Sequence, residues 1–107
     1  MKYDYSIFVD DNGYILFKFI KELKLLEYVF EDMSSFGEPI FREFIKKVIS
    51  DESKFEEVYG NMCGMKIRKD YTVITSEYVS SNVLNNLQIK TIELLHLIDM
   101  WIKKNNL

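Results

Sequence analysis

The apolar residues of this chain change their spacing along its length, and no all-helical or all-strand fold satisfies both spacings. Tyr3, Tyr5, Ile7 and Val9 alternate with Asp4 and Ser6, which is the two-residue period of a strand. Asp10-Asp11-Asn12-Gly13 stops that strand and supplies several helix N-caps. Beyond it, Leu16, Phe19, Ile20, Leu23, Leu26 and Phe30 recur at helical spacing, with Lys18, Lys21, Glu22 and Lys24 largely on the other face. The spacing predicts one helix ending near Met33, before Ser34-Ser35-Phe36-Gly37. A second helix is predicted from Glu38 and Pro39, residue types that suit a first turn. Its stripe is Ile40, Phe41, Phe44, Ile45, Val48 and Ile49, and Ser50-Asp51-Glu52-Ser53 closes it. Lys54 to Val58 reads as a short turn.

From Tyr59 the period returns to two. Cys63, Met65 and Ile67 alternate with polar neighbours, Lys69-Asp70 suits a two-residue turn, and Tyr71 to Val79 is rich in β-branched and aromatic residues. Ser80 to Asn86 reads as a polar loop and Leu87 to Lys90 as a last short strand. Thr91 is then expected to cap a final helix with Leu94, Leu95, Ile98, Trp101 and Ile102 inward, and Lys103 and Lys104 at its C-terminal dipole end. The predicted order β-α-α-β-β-β-α is an α+β fold, helices packed on a small antiparallel-dominated sheet, in a single domain over residues 1–107.

Few side chains here can do chemistry. The 107 residues hold one His, one Cys and one Trp, so a disulfide within the monomer is impossible and no structural zinc site is expected. His96 is the one candidate general base, but no local signature brings it a nucleophile and an orienting carboxylate. Cys63 lies between Gly60 and Gly64 in a predicted strand, where a thiol behaves as a small apolar group. Neither the Walker pattern nor the dinucleotide fingerprint occurs, and Asp10-Asp11-Asn12-Gly13 does not fit a calcium loop. No cofactor, no metal and no catalytic residue is therefore predicted, and the chain is not read as an enzyme. The competing reading is a small ligand-binding domain or enzyme built around His96.

Charge is uneven along the chain. The whole carries a net −3, but residues 27–57 hold four basic and nine acidic side chains. An acidic field repels nucleic acid and favours a basic partner. Glu31-Asp32 stands out, since acids near a helix C-terminus oppose the dipole and invite another role. The start Met1-Lys2-Tyr3-Asp4-Tyr5 lacks signal-peptide character, Tyr14 to Phe30 is too interrupted by charge to span a bilayer, and a lone thiol suits a reducing compartment. A cytoplasmic location, without membrane contact, is expected.

The stretch Glu57-Val58-Tyr59-Gly60-Asn61-Met62-Cys63-Gly64-Met65-Lys66-Ile67 carries a GN-x-C strand. With its hairpin partner, the polar loop and the terminal ELLHLIDMWIKK helix, it resembles the small immunity proteins of bacterial contact-dependent growth inhibition systems. The resemblance covers roughly the last 50 residues. It implies a cytoplasmic, non-enzymatic protein that binds and neutralises the cognate toxin domain of a delivered effector, commonly a basic nuclease acting on RNA. With that partner, the acids Glu31, Asp32, Asp51, Glu52, Glu56 and Glu57 become the expected interface, with Tyr59 and Tyr28 as exposed aromatic anchors.

Overall fold

Asp10 turns the chain back on itself. In this computed structural model, which describes residues 3–79 and 85–107, strand β1 (Ser6–Val9) pairs antiparallel with strand β2 (Ile15–Lys18). Asp10 Oδ1 accepts the backbone N–H groups of Asn12 and Tyr14, both at 2.9 Å, and Gly13 takes φ +85° to close the loop. Asp10-Gly13 is thus a hairpin loop, not the helix start predicted from its capping residues. The helix predicted from the stripe that opens at Leu16 begins only at Lys24, after a 3-10 turn at Lys21–Leu23. Its first apparent stripe residue, Leu16, belongs to β2. There Leu16 and Phe17 point to opposite faces and are both buried, because β2 packs against helices on both sides. A run of apolar residues buried on two faces has no alternation to read.

Helix α1 (Lys24–Phe36) runs three residues past the predicted end and stops at Gly37, whose φ of +74° is the left-handed cap a side chain would resist. It is buried nearly all round, with Leu26, Val29, Phe30 and Met33 fully enclosed. Helix α2 (Arg42–Ile49) starts four residues later than predicted, since Glu38 and Pro39 are spent on a turn in which Arg42 N–H reaches the Pro39 carbonyl at 3.0 Å.

Four strands follow in one antiparallel sheet of order β3-β4-β5-β6: β3 (Glu56–Tyr59), β4 (Gly64–Ile67), β5 (Tyr71–Thr75) and β6 (Asn86–Lys90). The segment predicted as a turn at Lys54 to Val58 supplies most of β3, an edge strand whose register sets Glu57 against Lys66 and Tyr59 against Gly64. Helix α3 (Thr91–Lys104) then packs over the inner face. Thr91 does not cap it. Lys90 holds the N-cap position, while the Thr91 hydroxyl donates to the Arg68 carbonyl and meets the Thr72 hydroxyl at 2.8 Å, pinning the β4–β5 turn to the helix. At its far end Asn105 accepts the Ile15 N–H at 2.7 Å and donates to the Ile15 and Trp101 carbonyls. Among the described residues three α-helices and two antiparallel sheets share one core running from Phe17 and Phe30 through Ile74 to Trp101. The α+β class predicted from the sequence is the one observed, with β2 and β3 as the additional strands. The expected loop at Ser80–Asn86 falls largely on residues 80–84, outside the described residues.

Candidate functional site

One side of the four-stranded sheet faces α1, α2 and α3, and the other faces solvent. Strand alternation puts Met65, Ile67, Ile74 and Ile89 inward and buried. The same alternation turns Glu57, Tyr59, Lys66 and Thr75 to the open side. On that side, at the β3–β4 turn, lies a groove of about 530 Å³. Tyr59 and Tyr78 line it, each 64% exposed, the most exposed aromatic side chains among the described residues. Gly64 opens its floor: a Cβ there would meet the Tyr59 ring at 2.5 Å.

The groove is built on a buried carboxylate. Asp32, only 1% exposed near the end of α1, accepts the Met62 N–H at 2.8 and 3.0 Å and the Cys63 N–H at 3.1 Å; the Cys63 thiol lies 3.5 Å from the same carboxylate. Gly60 permits this approach, since a Cβ there would lie 2.8 Å from Asp32 Cγ and 3.0 Å from the Phe41 ring. The chain of bonds continues outward. The Ser76 hydroxyl donates to the Met62 carbonyl at 2.6 Å and accepts the Tyr78 N–H at 3.0 Å. Helix α1 thereby fixes the turn after Tyr59 and, through Ser76, the backbone at Tyr78. Burial, followed by the Asp32 carboxylate, pushes the Cys63 thiol well above its ordinary pKa, so it is a neutral donor and not a nucleophile.

The structure divides the acids expected at an interface. Asp32 is internal, which explains an acid at a helix C-terminus: its partners are the backbone N–H groups of another segment. Glu27 is also buried, 3.5 Å from Lys24, so solvent meets fewer of the acids in 27–57 than the sequence count implies. Tyr28, expected as an exposed anchor, is 8% exposed, and its hydroxyl donates to the Tyr78 carbonyl at 3.4 Å. It supports the groove from beneath. Glu31 is half-buried, and that burial raises its carboxyl pKa despite Lys24 and Lys18 nearby. Asp51 is exposed but paired with Lys69 at 2.8 Å, by the β4–β5 turn. Glu52 is exposed in the loop after α2, and Glu56 is half-buried on β3. Glu57 and Tyr59 share the open face and are joined, the Tyr59 hydroxyl donating to the Glu57 carboxylate, which raises the phenol pKa.

Tyr78 was absent from the sequence-based candidates. Its signal was one unpaired aromatic in a polar stretch, Thr75-Ser76-Glu77-Tyr78, which reads equally well as strand continuation. His96 stands exposed on α3 and lines neither this groove nor a second one along α2. Among the described residues no cluster of His, Cys, Asp and Glu is placed to hold a metal, and no helix is long and apolar enough to cross a membrane.

This is a small α+β domain with two strongly exposed tyrosines beside one groove on an open sheet face and its thiol sealed below, an arrangement suited to a binding surface. The chain is 36% identical over 102 residues to a protein named "Immunity protein" from Bacillus cereus, an alignment spanning 94% of this chain and 86% of that protein. It belongs to the immunity protein family. No protein-family model matches the chain, and no solved structure does.

Proposed function

We propose that this protein binds and neutralises a cognate toxin domain, and that the open face of the four-stranded sheet, centred on the Tyr59–Tyr78 groove, is the docking surface. The observation that carries the function is the relationship to the Bacillus cereus immunity protein along 94% of the chain. The groove supplies the place: large exposed aromatics around a concavity are what protein interfaces use as anchors, and solvated acids at the rim steer a basic partner. Glu57 and Tyr59 stay in the interface from the residues expected on sequence, with Tyr78 added. Glu31, Asp51, Glu52 and Glu56 do not line the groove and are left out of the proposed interface. The chain acts as an inhibitor and not as an enzyme, in the cytoplasm, against the toxin domain of a contact-dependent growth inhibition effector with nuclease activity.

The test is co-expression. The toxin domain encoded beside this gene should arrest growth alone, and this chain should restore growth and co-elute with it. A complex that persists with the Tyr59→Ala/Tyr78→Ala double variant would remove the groove from the interface. Growth arrest unrelieved by the wild-type chain, with no complex formed, would overturn the function. Degradation of cellular RNA by the free toxin distinguishes a nuclease from other activities.

A further inference from the structure

The groove is aromatic, polar and acidic, and among the described residues no cation lines it. Glu77 lines it, and Glu57 is held at its edge by the Tyr59 hydroxyl. The neutral lining includes the side chains of Asn61, Thr75, Asn85 and Asn86, all able to accept hydrogen bonds. Lys66 is the cation opposite Glu57 in the strand register, but it does not line the groove. Among the described lining residues an anionic ligand finds no positive partner, and an apolar one would bury amides without satisfying them. A cation with a flat face fits both the rings and the acceptors.

We propose that the groove takes an arginine side chain of the toxin, with its guanidinium on the faces of Tyr59 and Tyr78 and its charge answered by Glu57 and Glu77. The proposal rests on the docking face inferred above. Arginine fits better than lysine because its planar fork stacks on a phenol ring while presenting several donors to carbonyl and carboxylate oxygens. A volume of about 530 Å³ admits such a side chain with part of its flanking backbone. The backbone needs no rearrangement, since Asp32 and Ser76 already fix the turn and the Tyr78 segment.

The experiment is a titration of the ¹⁵N-labelled full chain with N-acetyl-arginine amide, using N-acetyl-citrulline amide as the uncharged isostere. The expected result is saturable shifts at the Gly64, Thr75 and Asn86 amides, with arginine binding about tenfold more tightly than citrulline. Tyr59→Ala and Tyr78→Ala should each weaken arginine binding by about threefold. Glu77→Gln, at an exposed position that leaves the fold intact, should weaken it and flatten its salt dependence. Equal responses to arginine and citrulline, or shifts confined to other surfaces, overturn the proposal. The toxin-docking reading fails separately: a groove that binds arginine amide, in a protein whose Tyr59→Ala/Tyr78→Ala variant still protects cells, keeps the site and loses the interface.

Discussion

Replacing Asp32 separates two roles for that residue by measurement. In Asp32→Ala, the Met62 and Cys63 N–H groups lose the carboxylate that accepts them at 2.8 to 3.1 Å, in a place with little access to water. Hydrogen bonds to a charged group contribute about 1.5–3 kcal/mol each, and a stranded buried donor costs about 1–3 kcal/mol. Two such donors give an expected loss of about 3–5 kcal/mol. A domain of this size has a total stability of about 5–15 kcal/mol, so the variant should be marginal. Asp32→Asn keeps the shape and one carbonyl oxygen but sets an NH₂ group against the remaining donor, for an expected loss of about 1–3 kcal/mol.

Trp101, fully buried, makes fluorescence-detected urea unfolding a suitable assay, with the midpoint falling in the order wild type, Asn, Ala at similar slope. A second readout is the thiol. Loss of the carboxylate should lower the Cys63 pKa, while burial, the larger cause, keeps it above its ordinary value. If both variants unfold within about 0.5 kcal/mol of wild type, Asp32 does not organise the Gly60–Gly64 turn. A variant that is as stable as wild type but binds toxin poorly would restore the contact role the sequence suggested.

Gly60→Ala should destabilise by about 2–4 kcal/mol, since its Cβ meets the buried Asp32 carboxylate and the Phe41 ring, and thermal unfolding measures it. Gly64→Ala clashes with the exposed Tyr59 ring, which can swing aside, and makes ordinary contact with the Thr75 hydroxyl, so it should lower stability by less than about 1 kcal/mol while altering toxin affinity in a binding titration. Glu31 is expected to make the folded state less stable as pH rises from the ordinary carboxylate value to its raised one, because the folded chain holds that proton more tightly than the unfolded chain. Glu31→Gln should therefore raise the melting temperature at neutral pH and lose that advantage in acid; an unchanged difference across the range would contradict it. Asn105→Ala should cost about 2–3 kcal/mol in urea unfolding by releasing the C-terminus of α3 from Ile15.

Sequence by itself determined where period and punctuation agree. The stripe of α3, the core face of α2 and the pairing of β4 with β5 follow from spacing that only one local conformation satisfies, and with them the α+β class. Tertiary structure decided the segments whose local signal was ambiguous. Ile15-Leu16-Phe17 is a strand because two helices cover its two faces, so apolar residues fall on consecutive positions and mimic a helical stripe. The edge strand β3 was hidden by Glu56 and Glu57, residues of low strand propensity that an edge tolerates because one side is solvated. Most of all, spacing cannot say where a carboxylate points. Asp32 read as surface charge and is the buried post behind the groove, because its partners lie thirty residues away and backbone N–H groups leave no mark in a sequence. Tyr59 and Tyr78 likewise became one site only when the strand order set the end of β3 and the end of β5 on either side of Gly64 in β4.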